Sequence, residues 1–563
     1  MENSDVYFAE DGTPRSTRFG DIYYSPQDGL AESRAVFLEG CHLAQAWTTP
    51  GDFTILELGF GTGLNIAAAL DLWTQSGCPG NLHIFTVEAF VMARDQAATA
   101  LANWPELAEF AQAIAEQWPV KRRGFHHMDF PQWRVSVTVA LMEVEAALDS
   151  WTGQADGVFL DGFSPALNPD MWSSAVFQRI AARVRPGARL ATFTVAGHVR
   201  RGLQDAGFGV AKCPGFGRKR ERLEAVFDGE TTQRQRPQRI AIAGAGIAGA
   251  CLAWQARLFG VQADIYDPAP GSGASGNPAA LVTPRLDAGD NTISALFSDA
   301  FAYATAFYRR VAPEAVIGEG VWQCALDSRD LARFERISQQ AGFVAGDLAL
   351  FAPGDVVTYP GLHLKPALYI SPADLLDRLL AGQAVIRQSI PENLSGYDAV
   401  VLACGDGILD RAIGLPLRPV RGQIEIAAEV TCDRALACGG YAVPARAGLL
   451  FGATHDRDDR GRDVRQVSRE ANLANLAKVM PHQAETLVGG LMSRASVRVT
   501  TRDQLPVAGE VSPGLYVLTG LGSRGFCLAP LLAKAILADM TGLAPPLSAA
   551  THRLLRPTRF ARD

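Results

Sequence analysis

The stretch that decides the fold is RIAIAGAGIAGACLAWQARLFGVQADIYDPAP, residues 239 to 270. It has the pattern of an apolar strand, a glycine turn, a helix and a second strand. Gly244, Gly246 and Gly249 give the spacing G-x-G-x-x-G, which suits a tight turn, a backbone that approaches a pyrophosphate and a closely packed helix. Asp267 follows about twenty residues later, where a carboxylate accepts hydrogen bonds from ribose hydroxyls. The stretch therefore predicts a dinucleotide site, since a plain glycine-rich turn leaves Asp267 unexplained.

A second strand, glycine turn and helix lie upstream, in DFTILELGFGTGLNIAAALDLW, residues 52 to 73. Here Glu57 precedes Gly59, Gly61 and Gly63 in the spacing E-x-G-x-G-x-G. This motif resembles the first motif of class I S-adenosylmethionine-dependent methyltransferases. The resemblance implies that the glycines let the backbone close on the methionine part of S-adenosylmethionine, and that a separate domain precedes the dinucleotide stretch.

Three more acids follow predicted strands of this upstream domain. Glu88 ends LHIFTVE, Glu143 follows VSVTVALM, and Asp161 ends GVFLD. Ligands of open α/β sheets bind at the carboxyl ends of strands, so we expect these acids to lie together. In the methyltransferase fold, an acid at the place of Glu88 holds the ribose and one at the place of Glu143 lies near the adenine. Glu145 and Glu116 remain alternatives to Glu143.

The composition limits the class of protein. Of 563 residues, 48% are hydrophobic and 20% charged, which is typical of globular domains with several cores. The nine cysteines are scattered without a C-x-x-C pair, which favours reduced thiols over a disulfide framework or a zinc site. Neither a signal peptide nor an apolar run of about 20 residues is evident. We expect a cytoplasmic monomer without a membrane anchor or a metal.

Positive charge is concentrated in local clusters of the upstream domain, although the net charge is -7. Basic side chains bind nucleic acid when they converge on phosphates, and a solvated surface explains any single cluster equally well. The candidates for a nucleic-acid contact are Arg200, Arg201, Arg218, Lys219 and Arg220.

Polar residues 228 to 238, DGETTQRQRPQ, lack periodicity and predict a linker. The expected domains are residues 1–228 and 239–563, joined by a linker at 229–238. Residues from about 189 to 227 have the pattern of a strand, a helix and a hairpin, which would complete a seven-stranded doubly wound sheet. Downstream, we expect helices near 291–311 and 328–341, and a β-rich part at about 312–365 and 418–495.

Four motifs surround the dinucleotide stretch in the downstream domain. They are the segment GASGN with Ala274 and Ser275, a strand ending at Gly405, the run V-R-x-x-T-R-D-x-x-P-x-x-G, and GLGSRG with Gly522 and Gly525 before a helix. This domain resembles the glycine oxidase and D-amino-acid oxidase group of FAD proteins. The resemblance implies a two-part FAD domain with a β-rich substrate domain.

The same resemblance implies how the substrate is bound. An arginine in the V-R-x-x-T run, here Arg498, would clamp a substrate carboxylate, because a guanidinium fork fits a carboxylate bidentately. Arg524 is a second candidate for this clamp. Tyr441 could hydrogen-bond the same carboxylate, although a core tyrosine is an equally good interpretation.

The whole chain resembles a bacterial family of bifunctional proteins that complete the 5-methylaminomethyl-2-thiouridine wobble base of tRNA. The resemblance implies that the FAD domain removes a carboxymethyl group from the base, and that the upstream domain then methylates the exposed amine. For that methylation Asp161 is the expected proton acceptor, with Asp170 and Glu32 as weaker candidates. Two alternatives stay open: a pair of enzymes for free amino acids or small amines, and a tRNA-binding module in which one half has lost catalysis.

Overall fold

The computed structural model describes residues 6–217, 219–229, 236–289, 291–354, 357–487 and 490–561. The chain folds as two compact units. Unit 1 comprises residues 1–236 and 541–549, and unit 2 comprises 237–540 and 550–563. The first division falls within the expected linker, whereas the segment 541–549 was expected in the downstream domain. No helix in the described ranges is long and apolar enough to cross a membrane.

Unit 1 is built on one large sheet. Its strands, with a small separate hairpin first, are β1 (Val6–Phe8), β2 (Pro14–Ser16), β3 (Phe53–Leu58), β4 (Leu82–Glu88), β5 (Gly124–Phe130), β6 (Val135–Leu141), β7 (Ala155–Leu160), β8 (Val184–Thr192), β9 (Phe208–Pro214) and β10 (Glu221–Phe227). The sheet has the order β5-β6-β4-β3-β7-β8-β10-β9. Strands β6, β4, β3, β7 and β8 run parallel, and the edge pairings are antiparallel.

The predicted doubly wound sheet and its closing hairpin, β9 with β10, are therefore confirmed. The expected count of seven strands is wrong, because β5 adds an eighth strand at the opposite edge. Its sequence GFHHMDF carries two histidines and an aspartate between apolar residues. This segment becomes a strand because it pairs with β6. Its own sequence pattern does not indicate that pairing.

Helices cover the sheet of unit 1. They are α1 (Gly29–Ser33), α2 (Leu43–Ala46), α3 (Leu64–Gln75), α4 (Arg94–Leu101), α5 (Ala108–Glu116), α6 (Val144–Ser150), α7 (Ser174–Ala181) and α8 (Gly197–Asp205). Buried aromatic pairs fix this packing: Phe85 stacks on Trp151 with ring centres 4.7 Å apart, and Trp47 meets Trp73 edge-on at 5.0 Å.

Unit 2 contains two sheets. Their strands are β11 (Arg239–Ala243), β12 (Gln262–Tyr266), β13 (Ala280–Val282), β14 (Val316–Cys324), β15 (Leu348–Phe351), β16 (Gly361–Ile370), β17 (Val385–Ile386), β18 (Ala399–Leu402), β19 (Leu417–Ala427), β20 (Ala435–Ala437), β21 (Tyr441–Ala445), β22 (Gly448–Gly452), β23 (Asp456–Arg457), β24 (Met492–Thr501), β25 (Val507–Ser512) and β26 (Leu515–Thr519). The six-stranded sheet β17-β12-β11-β18-β26-β25 is parallel except for β25. The other ten strands form the second sheet, and most of them lie within the ranges 312–365 and 418–495 that were expected to be rich in strands.

Unit 2 has eight α-helices in the described residues, two of which lie near the expected ranges 291–311 and 328–341. They are α9 (Ile247–Leu258), α10 (Thr292–Val311), α11 (Ser328–Ile337), α12 (Pro372–Leu379), α13 (Gln466–Val479), α14 (Pro481–Glu485), α15 (Gly525–Thr541) and α16 (Ala549–Leu555). Asn291 caps α10 through hydrogen bonds from Ile293 and Ser294 N–H, and Asp327 caps α11 through Asp330 N–H. These polar residues satisfy the open N–H groups at the starts of the helices.

Cys324 and Cys438 form a disulfide, with Cα atoms 4.9 Å apart. Cys324 ends β14 and Cys438 follows β20, and these two neighbouring strands run parallel with Gln323 opposite Ala437. The pairing thus follows from the strand register, which places the two thiols side by side. The expectation of reduced cysteines is wrong for this pair.

Candidate active sites

The glycine turn of unit 1 joins the central strand β3 to α3. Gly59, Gly61 and Gly63 have φ of +101°, +52° and +79°, a region that other residues rarely adopt. A Cβ on Gly59 would lie 3.2 Å from the backbone nitrogen of Gly162, just past β7. The turn therefore lies in the crevice between β3 and β7, where the strand order reverses and ligands of open sheets bind.

Asp161 lies in this crevice at the end of β7. Its Oδ1 accepts a 2.8 Å hydrogen bond from Gly162 N–H, and its Oδ2 accepts one of 2.9 Å from Asn65 Nδ2. The hydroxyl of Ser33 holds Asn65 in turn, donating to Oδ1 at 2.7 Å. Burial raises the pKa of Asp161 to about 7, although both donors oppose the rise. The carboxyl group is thus fixed in orientation and able to exchange a proton near neutral pH.

Glu57 is fully buried on β3. Its Oε2 accepts a hydrogen bond of 2.6 Å from Thr86 Oγ1 on the neighbouring β4, and burial raises the pKa of Glu57 to about 8. Oε1 is buried without a hydrogen-bond partner among the described residues. A bound ligand would reach this side chain only after its neighbours shift. The geometry therefore favours a structural role for Glu57, in which it supports the glycine turn from below.

Glu88, at the end of β4, holds the glycine turn directly. Its Oε2 accepts Gly61 N–H at 3.1 Å and its Oε1 accepts Phe90 N–H at 2.8 Å. Burial raises the pKa of Glu88, and the charge of Glu143 adds to the rise. These two acids therefore lie near each other at the ends of β4 and β6, as the motif predicts.

The alternatives to Glu143 are already engaged. Glu145 lies 3.2 Å from Arg179 Nη2, and Glu116 accepts a hydrogen bond of 3.0 Å from Gln112. Glu143 itself is exposed, and its side chain does not cap α6. Its carboxylate thus remains available at the strand end.

Aromatic side chains gather beside Asp161, and no pattern in the sequence predicted them. Phe163 stacks on Phe19 with ring centres 4.8 Å apart and meets Tyr23 edge-on at 5.1 Å. Tyr23 also lies 3.4 Å from where a Cβ on Gly61 would be. All three rings are partly exposed, so they offer an apolar surface next to the turn and the carboxyl group.

The basic candidates of unit 1 differ in their surroundings. Lys219 Nζ lies 3.0 Å from Glu32 Oε1 and 4.2 Å from the ring centre of Phe193. This ion pair engages both Lys219 and Glu32, which is one of the weaker candidates for the base. Arg200, Arg201 and Arg220 are exposed and have no ion-pair partner in the described ranges. The remaining candidate, Arg218, lies outside the described residues. The other weak candidate for the base, Asp170, is exposed in the short 3-10 helix Pro169–Trp172 after β7.

The glycine turn of unit 2 joins β11 to α9 and depends on close approach of the backbone. Gly244 has φ of +106°, and a Cβ there would lie 2.4 Å from the carbonyl oxygen of Ala403. A Cβ on Gly249 would lie 1.8 Å from the carbonyl oxygen of Gly244, and one on Gly246 would lie 3.0 Å from Ser275 Oγ. Close backbone therefore requires Gly244 and Gly249, whereas a Cβ on Gly246 would meet only the side chain of Ser275.

Asp267 follows β12 beside this turn. Its Oδ2 accepts Ala245 N–H at 2.8 Å and its Oδ1 accepts Ala269 N–H at 2.9 Å. Ser275 Oγ accepts Ile247 N–H, the first amide of α9, at 3.0 Å. The Asp267 carboxylate and the Ser275 hydroxyl thus both contact backbone amides at the N-terminus of α9, where a pyrophosphate would lie.

Arg494 holds the GASGN segment in place, and sequence reasoning missed it. From β24 its Nη2 donates to the carbonyl oxygens of Gly271, Ser272 and Gly273 at 3.1, 3.0 and 2.6 Å, and its Nη1 donates to Asn277. The spacing of 221 residues between Arg494 and Gly273 leaves no local pattern that could reveal this contact.

One cavity of about 990 Å³ unites the motifs of unit 2. Its walls include the sequence-predicted residues Gly244, Gly246, Asp267, Ala274, Ser275, Gly405, Tyr441, Arg498, Gly522, Arg524 and Gly525. The cavity is at the upper end of the usual size for ligand sites. Parts of the chain far apart in sequence thus face a single space.

Both candidate arginines for a carboxylate lie on this cavity. Arg498 Nη2 donates to the carbonyl oxygen of Thr454 at 3.0 Å, and Arg524 Nη1 donates to Thr283 Oγ1. Neither forms an ion pair with a carboxylate within the described ranges, and burial lowers the pKa of each. Burial raises the pKa of Tyr441, and the charge of Arg498 opposes the rise. The cavity therefore presents two arginines that no carboxylate pairs with among the described residues, which fits an anionic substrate.

The residues present fit the two implied ligands. In unit 2 the glycines that leave no room for a Cβ, the helix N-terminus and Asp267 suit the pyrophosphate and ribose of FAD. In unit 1 the turn at Gly59 to Gly63 and Glu88 suit S-adenosylmethionine. Among the described residues, no cluster of potential metal ligands occurs.

Comparisons with known proteins define the class of each unit. Residues 105–228 match the family of S-adenosyl-L-methionine-dependent methyltransferases, and residues 239–540 match the FAD dependent oxidoreductases. Glycine oxidase from Bacillus cereus is among the similar solved structures, with 19% identity over 54% of this chain and 97% of that chain and a TM-score of 0.46. The molecule is a methyltransferase joined to an FAD-dependent oxidoreductase.

Full-length relatives define the family. A protein of Caulobacter vibrioides is 47% identical over 99% of this chain and 98% of its own length, and one of Maricaulis maris is 39% identical over 99% and 96%. Both are called tRNA 5-methylaminomethyl-2-thiouridine biosynthesis bifunctional proteins. The chain belongs to this family.

Proposed function

We propose that the protein carries out two successive reactions on the wobble uridine of tRNA. Unit 2 removes the carboxymethyl group from 5-carboxymethylaminomethyluridine or its 2-thio form, and unit 1 then methylates the aminomethyl product with S-adenosylmethionine. The observation that carries this proposal is the pairing of an arginine-lined dinucleotide cavity with a carboxyl-lined methyl-donor turn in one chain. The names of the full-length relatives support it.

In unit 2, Arg498 would bind the carboxylate of the carboxymethyl group, with Arg524 as the second cation and Tyr441 as a hydrogen-bond donor. Burial strengthens such a charge-assisted contact, because water competes less for the guanidinium group. FAD held there would supply the acceptor for a hydride from the glycine-like α-carbon, and hydrolysis of the resulting imine would give the aminomethyl base and glyoxylate. The arginines hold the α-carbon in place for that chemistry.

FAD would be held by the turn from Gly244 to Gly249, by Asp267 at the ribose, and by Ala274, Ser275 and Gly405 along the wall. The segment from Gly522 to Gly525 leads into α15, so its amides would face an electron-rich part of the cofactor.

In unit 1, Asp161 would accept a proton from the aminomethyl group. A primary amine is mostly protonated at neutral pH and must lose a proton before it can attack the methyl group of the sulfonium. A carboxyl group with a pKa of about 7 suits this task near neutral pH. Asn65 and Gly162 hold it in orientation, and the aromatic rings of Phe163 and Tyr23 would pack against the base.

The exposed arginines Arg200, Arg201 and Arg220, together with Lys219 and Arg218, would contact the tRNA backbone. Such contacts neutralise phosphates and make binding depend steeply on salt. Charge reversal at Lys219 and Arg220 should therefore weaken tRNA binding and lower its salt dependence.

Mass analysis of nucleosides tests the proposal directly. Carboxymethylaminomethyl-tRNA is incubated with the purified protein, with and without S-adenosylmethionine. We expect the aminomethyl base without the methyl donor and the methylaminomethyl base with it. An unchanged carboxymethyl base under both conditions would refute the function, and a free amino acid or small amine consumed in its place would favour the metabolic alternative.

A further inference from the structure

A second cavity of about 520 Å³ lies beside the large cavity of unit 2. Arg285, Arg333, Arg336 and Arg524 line it, with Asp287 as the one acid among the lining residues that the structure describes. Arg524 and Gln323 line both cavities, so they form the wall that the two spaces share. The smaller space thus collects positive charge directly beside the place assigned to the carboxymethyl group.

The helix α11 supplies two of these arginines, and its sequence explains why. SRDLARFERI places Arg329, Arg333 and Arg336 at intervals of four and three residues, which puts them on one stripe of the helix. The apolar residues Phe334 and Ile337 are buried and dock the helix on the unit. The packing of Phe334 and Ile337 thus fixes the helix from which Arg333 and Arg336 line the cavity.

The other wall of the smaller cavity is a loop fixed to the end of α11. Gln340 Nε2 donates to the carbonyl oxygens of Asp287 and Gly289 at 3.0 and 3.2 Å. Asp287 itself accepts Gly289 N–H at 2.9 Å and lies 3.8 Å from Arg285. Asp287, the acid among the described lining residues, thus hydrogen-bonds within its own loop and lies close to one of the four arginines, Arg285.

The arginines of the smaller cavity retain free donors. Arg333 gives Nη2 to Asp330 at 2.9 Å, but its buried Nε–H has no acceptor in the described part of the chain. Arg336 is exposed, and no carboxylate pairs with it within the same ranges. Guanidinium groups with open donors bind phosphate oxygens bidentately.

We propose that this cavity is the RNA phosphate subsite of the oxidoreductase unit. It would bind the sugar-phosphate backbone next to the wobble uridine, while the carboxymethyl group passes Gln323 and Arg524 into the large cavity. Bases of single-stranded loops splay out readily, and phosphate contacts fix the register of the chain. This inference rests on the proposed function and adds that the oxidoreductase unit positions tRNA with its own arginines.

The test compares two double charge reversals in the full-length holoprotein. Arg333→Glu with Arg336→Glu alters the subsite. Arg418→Glu with Arg502→Glu is the matched control, because both of these arginines are exposed in unit 2 and line neither cavity. Flavin-dependent turnover is measured with carboxymethylaminomethyl-tRNA and with the free nucleoside 5-carboxymethylaminomethyluridine, which lacks phosphate.

We expect the subsite variant to raise KM for the tRNA about tenfold or more, because its side chains can no longer donate charged hydrogen bonds to phosphate. Its kinetics with the nucleoside should equal those of the control, and Arg333→Lys with Arg336→Lys should recover most of the tRNA activity. The slope of log Kobs for tRNA binding against log salt should become shallower by about 0.7 for each phosphate that the variant no longer neutralises.

An equal loss of activity with the nucleoside would show that the arginines support the flavin site or the fold, and would overturn the inference. Unchanged KM and salt slope for the tRNA would do the same, as would an equal loss in methylation of aminomethyl-tRNA, which unit 1 performs. If the wild-type protein oxidises neither substrate, the proposed function fails, and the salt slope of tRNA binding still decides on the subsite.

Discussion

The two units of this chain place a glycine turn after a central strand, and the turns differ in what requires their glycines. In unit 1, Gly59, Gly61 and Gly63 all have positive φ, so the backbone conformation excludes other residues. In unit 2, Gly249 lies within a helix. A glycine is required there because a Cβ would lie only 1.8 Å from the carbonyl oxygen of Gly244. Conformation alone requires the glycines of the first turn, whereas the second turn combines the positive φ of Gly244 with close packing at Gly249.

The charges around the turns differ as well. Unit 1 surrounds its turn with carboxyl groups whose pKa values burial raises, Glu57 and Asp161 above all. Unit 2 faces its cavity with guanidinium groups that lack acidic partners among the described residues, Arg498 and Arg524. Methylation of an amine needs a proton acceptor, whereas oxidation of a carboxymethyl amine needs a cation for its carboxylate. Each set of charges therefore suits one of the two proposed reactions.

The largest expected effect comes from Gly249→Ala, because the added Cβ collides with backbone that cannot move aside. We expect purified protein without bound flavin and without carboxymethyl removal, while methylation of aminomethyl-tRNA persists. Flavin absorbance and nucleoside mass analysis measure the two effects. Gly396→Ala is the control, since no atom lies within 4 Å of its Cβ. Bound flavin at the wild-type level in Gly249→Ala would contradict the close-packing account.

Asp161→Asn tests the acid side of the comparison. Loss of a proton acceptor should lower the rate of methyl transfer by about 10²- to 10⁴-fold, and carboxymethyl removal by unit 2 should stay unchanged. The exposed Asp170→Asn is the matched control and should alter the methylation rate by no more than about twofold, as surface substitutions do. An equal loss in both variants would mean that Asp161 is not the proton acceptor.

Arg498→Ala tests the cationic side. Removal of one partner of a buried charge pair costs about 2–4 kcal/mol, so kcat/KM for carboxymethyl removal should fall about 30- to 1,000-fold. Arg524→Ala, assayed in parallel, separates the two arginines of the cavity. A larger loss in Arg524→Ala than in Arg498→Ala would move the clamp to Arg524. Methylation by unit 1 serves as the internal control for folding.

The sequence predicted the parts of these sites that follow from local spacing. The spacing of the glycines identifies a turn between a strand and a helix, and parallel strands bring Glu88, Glu143 and Asp161 to one edge. The hydrogen bonds that orient those side chains were not predictable, because they join segments far apart in the sequence. Asn65 reaches Asp161 across 96 residues, and no periodicity relates the two.

Other contacts escaped prediction for the same reason. The disulfide spans 114 residues and depends on the register of β14 and β20. The full burial of Glu57 depends on helices that cover both faces of the sheet. The arginine stripe of α11 was visible in the sequence, but its meaning depends on the loop from Arg285 to Gly289 that lies against it.

The smallest expected effect concerns the stability of unit 1 as a function of pH. The carboxyl groups of Asp161 and Glu57 have pKa values of about 7 and about 8 in the folded state, above their ordinary values of 3.8 and 4.5. At a pH between the ordinary pKa and the raised pKa of each group, the folded state binds more protons than the unfolded state. The free energy of unfolding therefore falls as the pH rises from about 4 to about 8. Ionised Asp161 therefore destabilises the fold at alkaline pH, and Asp161→Asn removes this effect.

We therefore expect the Tm of unit 1 in Asp161→Asn, relative to wild type, to be higher at pH 8 than at pH 5, by on the order of a few degrees. Differential scanning calorimetry without S-adenosylmethionine measures this difference, and the transition of unit 1 is the one that added S-adenosylmethionine raises. Asp170→Asn, which removes an exposed carboxylate, should show no such dependence on pH. If the Tm difference for Asp161→Asn is the same at both pH values, burial does not raise the pKa of this carboxyl group, and the contrast between a proton-accepting unit and a cationic unit loses its electrostatic basis.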